Sequence, residues 1–316
     1  MPEEPPAVAH SIRVSPDAAA AWPEGVAPPV RWVDPGRVPV GDVATGVQNW
    51  DYYDGALVGI GVSDGTTFTI SGSGIMVAPG LVLTATHVLQ EHVDALEAKT
   101  LSLWCVGPRL DGRADLWTLR TLRYPETESD IAFLGVDPYS EIPDDWELTC
   151  LPLSTRAPQK DETLTVVGFR FDDAGAIDDL PPIDGIRIVS RGQLYAATGR
   201  TEAVYYPYRD QVMAPFPIIE VACGSLGGMS GGAVLDRNGA VVGILSTGLS
   251  HDDGRGPSNA AWIIHALMFT VTLLWPRALY SPDTPLLDLP DDLLRIVGRE
   301  HVRLTGTHEI EYTPWH

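Results

Sequence analysis

Cysteine is scarce in this sequence, and its scarcity argues against two classes of stabilised fold. The 316 residues include three cysteines, Cys105, Cys150 and Cys223, which are widely spaced and form no C-x-x-C pair. A disulfide framework uses an even number of cysteines, and a structural zinc site uses closely spaced ligands. We therefore predict buried, reduced thiols, and we expect neither a metal nor another cofactor.

Basic residues are also few. The chain has 21 Lys and Arg residues against 42 Asp and Glu residues, which gives a formal net charge of -21 at pH 7. A charge of this sign and size repels phosphate backbones and anionic lipid. Nucleic acid is therefore excluded as an expected partner.

Long apolar runs and targeting signals are missing as well. The most apolar run, residues 260–275, contains His265 and is shorter than the roughly 20 residues that span a bilayer. The first residues, MPEEPPAVAH, have neither the basic region nor the apolar region of a secretory signal. The sequence predicts a cytoplasmic protein without a membrane span.

Short β-type runs are abundant, in two sets separated by a Pro/Asp-rich connection. Runs such as ALVGIGV and LVLTAT are rich in β-branched residues and are bounded by Gly, Asp and Ser. Helix-period patterning is brief, around residues 87–98. We predict an all-β protein of two antiparallel six-stranded β-barrels, at about 50–140 and about 159–265 within a domain of residues 41–276.

The two ends and one turn complete the fold prediction. Residues 1–40 are predicted to form a disordered or extended arm, because a proline-rich, alanine-rich start buries little apolar surface. The last strand is expected to run into a carboxy-terminal helix that ends before Pro276, followed by an extension, residues 277–316, that could dock a partner. Asn238-Gly239 predicts a type I′ hairpin turn.

Ser230 is the candidate nucleophile because glycines surround it in Gly228-Met229-Ser230-Gly231-Gly232. Residues without side chains permit a tight turn in which the amides of Gly228 and Ser230 point into one pocket. The same motif satisfies the G-x-S-x-G elbow of α/β-hydrolases, but an elbow is followed by a helix, whereas a hairpin is predicted here. A P-loop is excluded because no Gly-Lys-Ser/Thr follows the glycines.

Three motifs in chain order resemble the chymotrypsin/trypsin family of serine proteases. Thr84-Ala85-Thr86-His87 matches T-A-x-H, Asp130 opens D-I-A-x-L, and Ser230 lies in G-x-S-G-G, at intervals of 43 and 100 residues. The resemblance covers roughly residues 50 to 275. It implies a trypsin-like fold with a catalytic triad of His87, Asp130 and Ser230.

The resemblance also implies a role for each matching residue. Ser230 would attack the scissile carbonyl, His87 would accept its proton, and Asp130 would orient the imidazole. The oxyanion would be bound by the amides of Gly228 and Ser230. Substrate would pair as an added strand and enter a pocket, with contacts from Ser246, Thr247 and Gly248 and, at the pocket base, Gly224 and Ser225.

Departures from the family pattern narrow the prediction. Met229 replaces the Asp that pairs with a newly cut amino terminus, and Val88 and Leu226 replace two cysteines of the usual disulfides. This is more similar to the disulfide-free bacterial type, including HtrA-type proteases, although no PDZ-like module follows residue 276. Gly224 at the pocket base, and Leu245 where glutamate-directed relatives carry histidine, predict a small or apolar side chain before the scissile bond.

Alternatives remain for several polar residues. Asp115, Glu126 and Glu128 are rivals of Asp130, and His92 is expected to face solvent. Other segments have simpler structural interpretations: the acidic run 171–185 as a solvated turn and not a calcium loop, residues 251–253 as a hairpin tip, and Tyr205, Tyr206 and Tyr208 as either a partner surface or packing.

Two function classes follow from these motifs. The first is an intracellular serine endopeptidase that cleaves protein or peptide substrates and is held in check by its own extensions or by a regulatory protein partner. The second is a catalytically silent binding module with the protease fold.

Overall fold

A computed structural model describes most of the chain, namely residues 9–13, 22–33, 41–47, 53–66, 68–110, 113–125, 129–172, 191–212, 214–248, 254–282, 284–306 and 310–315. The first eleven strands are β1 (Ala9–Arg13), β2 (Val30–Trp32), β3 (Thr45–Gly46), β4 (Leu57–Ser63), β5 (Phe68–Ala78), β6 (Leu81–Ala85), β7 (Ser102–Pro108), β8 (Ala114–Pro125), β9 (Ile131–Pro138), β10 (Leu148–Cys150) and β11 (Leu153–Ser154). The other eleven are β12 (Thr163–Asp172), β13 (Arg191–Tyr205), β14 (Ile218–Val221), β15 (Ala233–Leu235), β16 (Val241–Gly248), β17 (Ser258–Trp262), β18 (Thr270–Val271), β19 (Thr284–Pro285), β20 (Ile296–Val297), β21 (Val302–Leu304) and β22 (Ile310–Tyr312).

Helices are few and short. Two α-helices, α1 (Thr86–Gln90) and α2 (Val93–Glu97), follow β6 at the place where the helix-period pattern predicted them. The described 3₁₀-helices are Ile263–Met268, Leu286–Asp288 and Arg299–His301. Within the described residues, the barrel strands are therefore joined by loops or by these short helices, and the sheet hydrogen bonds define the fold.

Each set of strands closes into a six-stranded barrel. In barrel 1 the pairings run β4, β5, β6, β9, β8, β7 and back to β4, and all of them are antiparallel. In barrel 2 they run β12, β13, β14, β17, β16, β15 and back to β12, again antiparallel. Closure satisfies the backbone groups that an open edge would expose. The all-β, two-barrel prediction is confirmed.

The apolar β-type runs of the sequence form the core, and some barrel strands are buried on both faces. All seven residues of β4 and all five of β6 are buried. In barrel 2, Val166, Val234 and Ile244 are fully buried. Burial on this scale is the main stabilising contribution to such a fold, at about 25 cal/mol for each Å² of apolar surface removed from water.

The helix expected after the last barrel strand is a 3₁₀-helix of six residues and not an α-helix. Ile263–Met268 follows β17 directly, and the chain is extended again at Phe269 and in β18. Five of the six residues are buried, so apolar neighbours surround this segment on several sides. A short segment that is apolar on nearly all sides has no helical period in its sequence, so packing against its neighbours determines that it forms a 3₁₀-helix.

The turn at Asn238-Gly239 also differs from the prediction. Gly239 has a φ of +80°, but Asn238 is not among the described residues with positive φ, so this is not a type I′ turn. The carboxylate of Asp236 accepts hydrogen bonds from the amides of Asn238 at 2.8 Å and Ala240 at 3.0 Å. An Asx-type contact of this kind competes with the intrinsic preference of the Asn-Gly pair.

Both terminal extensions contain strands that pair with strands of the central domain. Within the predicted arm, β1 pairs with β8 and β2 pairs in parallel with β10. In the carboxy-terminal extension, β20 adds a parallel strand to β11 of the barrel 2 sheet, and Leu286 and Leu294 are fully buried. The described part of this extension is thus packed on the body, and its docking of a partner stays a prediction.

Two further features bear on the sequence predictions. Cys105, Cys150 and Cys223 are buried and free, as predicted. Burial, and then the charge of Asp42, raises the pKa of the Cys223 thiol to about 12, so this thiol stays protonated. Among the described helices, none is long and apolar enough to cross a membrane.

Candidate active site

Strand register brings His87 beside Asp130. In the antiparallel pairing of β6 with β9, Ala85 lies opposite Ile131, and the amide of Thr86 donates to the Asp130 carbonyl at 3.3 Å. The chain then turns into α1, which carries His87. Its backbone N–H donates to Asp130 Oδ1 at 3.1 Å, and its Nδ1 lies 2.8 Å from Asp130 Oδ2. Two bonds from one residue therefore fix the carboxylate and the imidazole relative to each other.

The Asp130 carboxylate is mostly shielded from water, with 10% of its side chain exposed, whereas 38% of the His87 side chain is exposed. The hydroxyl of Ser246 donates a short hydrogen bond to Asp130 Oδ2. An ionised carboxylate accepts from Nδ1–H of His87, and this tautomer leaves the lone pair of the imidazole on Nε2. The arrangement can therefore supply a base at the more exposed nitrogen.

The electrostatics of the pair favour a protonated imidazole. Burial alone would lower the pKa of His87, but the hydrogen bond that His87 donates to Asp130 and the negative charge of Asp130 outweigh burial, and the pKa of His87 lies above its ordinary value. The same contacts stabilise an imidazolium, the form that His87 takes after it accepts a proton.

Barrel 2 places Ser230 beside Ser246. Just after Ser230, the amide of Gly231 donates to the Leu245 carbonyl at 2.7 Å, and the amide of Leu245 donates to the Gly232 carbonyl at 2.8 Å. The Ser230 hydroxyl donates to the Ser246 carbonyl at 3.2 Å. Among the described residues this carbonyl, and not His87 Nε2, is the recorded partner of Ser230 Oγ. Hydrogen bonds thus link His87, Asp130, Ser246 and Ser230 residue by residue, and we call this set the hydrogen-bonded chain. The link passes through two separate groups of Ser246, because its hydroxyl bonds to Asp130 and its backbone carbonyl accepts from Ser230.

The loop before Ser230 presents two amides. The Met229 N–H donates to the Leu226 carbonyl at 3.1 Å, and the side chain of Met229 is fully buried. Within the described part of the chain, no acceptor is recorded for the N–H groups of Gly228 and Ser230. Gly228 has a φ of +91°, which side chains rarely permit. A glycine is needed here for the loop to turn, and two unpaired N–H groups can bind an anion.

The expected pocket base has no room for a side chain. A Cβ built on Gly224 would lie 1.8 Å from the carbonyl oxygen of Gly254, and Ser225 is 5% exposed. Along β16, Ser246 is buried while Thr247 is exposed, and Gly248 pairs with Ser258. The described part of this region therefore offers backbone and small side chains, with no charged group at position 224.

Sequence reasoning missed a segment that braces this region, residues 41–47. The amide of Gly224 donates to the Asp42 carbonyl at 2.8 Å, and the amide of Ala44 donates to the Gly254 carbonyl at 2.9 Å. These two bonds hold the backbone at Gly224 and Gly254 to one strand-like segment. Backbone bonds carry no residue signature, so the sequence could not have revealed them.

The other polar residues that the sequence analysis considered lie elsewhere or are not described. Asp115 pairs with Arg109 at 3.3 Å. His92 is not solvent-facing as expected, because its side chain is 17% exposed and its Nε2 lies 3.1 Å from the Ser71 hydroxyl. Residues that lie outside the described ranges are Glu126, Glu128, most of the acidic run (173–185) and the tip 251–253.

A family comparison decides how this geometry is classified. The model of the family described as "Trypsin-like peptidase domain" matches residues 72–244, more than half of the chain. This chain belongs to the trypsin-like peptidase family. The match includes the positions of His87, Asp130 and Ser230. No curated protein sequence matches the chain.

Solved structures similar to this trypsin-like peptidase include proteases of low sequence identity. An HtrA-type protease, AlgW with a decapeptide, is 17% identical with a TM-score of 0.43, over 66% of this chain and 61% of that one. The Rv3671c protease in its inactive form is 14% identical with a TM-score of 0.40, over 66% of this chain and 84% of that one. The match thus spans about three fifths of the AlgW chain.

Proposed function

We propose that this trypsin-like peptidase is a serine endopeptidase with His87, Asp130 and Ser230 as its catalytic triad. The observation that carries the proposal is the His87–Asp130 pair, in which a shielded carboxylate holds an exposed imidazole. Ser246 contacts both this pair and Ser230, which keeps the nucleophile beside them. Such a set supplies a nucleophile, a base and a group that orients the base.

Acylation uses these groups in sequence. His87 Nε2 removes the proton of Ser230 Oγ while Oγ bonds to the scissile carbonyl carbon, and the amides of Gly228 and Ser230 bind the resulting oxyanion. The imidazolium then donates its proton to the leaving amine as the carbon–nitrogen bond breaks. Water repeats the steps on the acyl-enzyme and releases the acid. In the free protein Ser230 Oγ is bonded to Ser246, so a rotation about its Cα–Cβ bond precedes attack.

The proposed substrate is a polypeptide strand with a small or apolar side chain before the scissile bond. Ser246, Thr247 and Gly248 provide an extended edge for backbone pairing. Gly224 offers no charge to a Lys or Arg side chain, and the close Gly254 backbone supports a shallow pocket. A peptide-library profile dominated by Arg, Lys or Glu would contradict this preference.

One observation favours the second function class. The Ser230 hydroxyl donates to a backbone carbonyl, so the nucleophile is not engaged with its base in this conformation. A catalytically silent binding module would retain this conformation with peptide bound. The cytoplasmic location, the bacterial origin and a regulatory partner remain predictions.

Digestion of casein tests the proposed function. We expect the wild-type protein to generate new amino termini, identified by mass spectrometry, and Ser230→Ala to generate none. Ser71→Ala is the matched control, because its hydroxyl contacts His92 and not the hydrogen-bonded chain. Equal cleavage by wild type and Ser230→Ala would refute Ser230 as the nucleophile, and peptide binding without cleavage by wild type would favour the binding module.

A further inference from the structure

Ser73 of barrel 1 is a fully buried polar residue that contacts the loop carrying Ser230. It lies in β5, far from Ser230 in the sequence. Its backbone N–H donates to the Ser230 carbonyl at 2.7 Å, and its hydroxyl donates to the Gly228 carbonyl at 2.8 Å. Ser73 therefore holds the loop at two points, one on either side of Met229.

These two points flank the amide of Ser230. The Gly228 carbonyl belongs to the peptide unit that joins Gly228 to Met229, and the Ser230 carbonyl belongs to the unit after Ser230. The unit between them carries the Ser230 N–H, which the proposed mechanism aims at the oxyanion. The carbonyl of this middle unit, on Met229, accepts from the Gly232 amide at 2.9 Å, and both neighbouring units are hydrogen-bonded to Ser73. The direction of the Ser230 N–H therefore depends on Ser73 together with the Gly232 amide. In the Gly228–Met229 peptide unit, the carbonyl is bonded to Ser73 and the Met229 N–H donates to the Leu226 carbonyl, so both polar groups of this unit are held.

The Ser73 side chain is itself held from barrel 2. The amide of Phe169 in β12 donates to the Ser73 hydroxyl oxygen at 2.8 Å, which leaves the hydroxyl proton for the Gly228 carbonyl. The Phe169 carbonyl is farther away, at 3.4 Å. In barrel 1, the Thr84 hydroxyl donates to the Ser73 carbonyl at 2.6 Å. One hydroxyl thus joins β5, β12 and the nucleophile loop.

We propose that the Ser73 side chain is a positioning residue for catalysis, which sets the oxyanion-binding amide of Ser230 by fixing the Gly228 peptide across the two barrels. The inference rests on the proposed peptidase function. Ser73 touches neither substrate nor the reacting atoms. We expect Ser73 to affect the transition state and not the binding of ground-state peptide. The peptide is proposed to pair with the β16 edge, whereas the hydrogen-bond partners of Ser73 lie in the nucleophile loop, β12 and β6.

The test compares Ser73→Ala with Ser71→Ala, a control two residues earlier on the same strand whose hydroxyl bonds to His92. We expect Ser73→Ala to lower kcat on a peptide substrate by about 10- to 100-fold, with KM within about threefold of wild type. A peptide boronic acid, which forms a tetrahedral adduct, should lose affinity by a similar factor. A non-reactive peptide should bind unchanged, and the pH profile should keep its midpoint because His87 is untouched.

Ser73→Cys provides a second variant if Ser73→Ala unfolds, since a thiol keeps a weak donor without adding atoms. Its kcat should fall between those of wild type and Ser73→Ala, with a wild-type melting profile confirming the fold. Wild-type kcat in a folded Ser73 variant, or a loss confined to KM, would overturn the positioning role. An inactive wild type would instead overturn the proposed function, so the two failures are distinguishable.

Discussion

His87 is the residue whose titration should govern activity. Only neutral imidazole can accept the Ser230 proton, and the hydrogen bond and charge of Asp130 overcome burial to raise the pKa of His87. Activity should therefore be low in acid and rise with pH through a midpoint above the ordinary pKa of histidine. Measured kcat/KM against pH checks this expectation.

Replacing the carboxylate reverses the shift. In Asp130→Asn the negative charge that raises the pKa of His87 is lost, while the burial that lowers this pKa remains. The midpoint of the pH profile should therefore move to lower pH. The plateau rate should also fall by about 10⁴-fold, because the amide no longer enforces the tautomer. Glu91→Gln is the control, since Glu91 is exposed and contacts His92. A pH midpoint that is the same in Asp130→Asn and wild type would contradict this assignment of His87.

Gly231 packs so closely against Ser73 and Thr84 that the site has no room for a side chain. It has a φ of +85°, and a Cβ there would lie 2.0 Å from the Ser73 carbonyl oxygen and 2.3 Å from Thr84 Oγ1. Gly231→Ala should lower the free energy of unfolding by more than about 2 kcal/mol, measured by urea denaturation. Gly227→Ala is the control, because Gly227 has open space around it. Equal stability of the two variants would refute the close approach.

The sequence identified the candidate site residues that lie in recognisable motifs, and it missed a residue that has no motif. His87, Asp130 and Ser230 stand in recognisable motifs, and their catalytic roles stay a prediction. In the structure His87 bonds to Asp130, and Ser246 contacts both Asp130 and Ser230. Ser73 escaped notice because a serine between glycines in Ser71-Gly72-Ser73-Gly74 resembles an ordinary strand residue. Its partners at 169 and 228 become neighbours only after both barrels have formed.

Among the elements, the β15–β16 hairpin depends on a side chain more than on its turn dipeptide. Asp236 Oδ1 accepts from the amides of Asn238 and Ala240, and its Oδ2 lies 3.4 Å from Arg156 Nη2. Asp236→Ala should cost about 2–3 kcal/mol in the free energy of unfolding, since buried donors lose their acceptor.

Urea denaturation of Asp236→Ala beside Arg237→Ala measures this contribution. Arg237 is an exposed neighbour in the same turn, and its loss should change stability by less than about 0.5 kcal/mol. Asp236→Asn should recover part of the loss, because its amide oxygen still accepts. If Asp236→Ala were as stable as Arg237→Ala, the turn residues and not Asp236 would determine the hairpin.

Strand positions were predictable because β-branched runs bounded by turn residues repeat through the chain, whereas the conformation of residues 263–268 was not. Ile263–Met268 is apolar on nearly all sides, so no period distinguishes an α-helix from a 3₁₀-helix. The Asn238-Gly239 dipeptide gave a preference that the nearby Asp236 overrode. In both cases contacts made after folding decided the local geometry.

For the whole molecule, the carboxy-terminal extension is part of the core. Leu294 is fully buried, and β20 pairs with β11. Deleting residues 278–316 should therefore lower Tm by more than about 10 °C, and Leu294→Ala alone should cost about 2–4 kcal/mol. Arg295→Ala is the control, because the Arg295 side chain is exposed and its bond to the Leu153 amide is made by the backbone carbonyl, which the substitution keeps. A truncated protein with wild-type Tm would show that the extension is not required.

The pairing of distant segments was the least predictable feature. Residues 41–47 were expected only as the start of the domain, yet they bond to Gly224 and Gly254. The proline-rich, alanine-rich composition of the arm suggested disorder, and the tail was predicted to be an extension that could dock a partner. Their partners are strand edges and backbone groups more than a hundred residues away, which local sequence does not encode.

Labelling by a fluorophosphonate probe tests the central claim most directly, because the probe reacts with an activated serine. We predict that wild type is labelled and that Ser230→Ala and His87→Ala, each shown to be folded by its melting profile, are not. Labelling of Ser230→Ala at the wild-type rate, or no labelling of folded wild type, would contradict an activated Ser230 with His87 as its base.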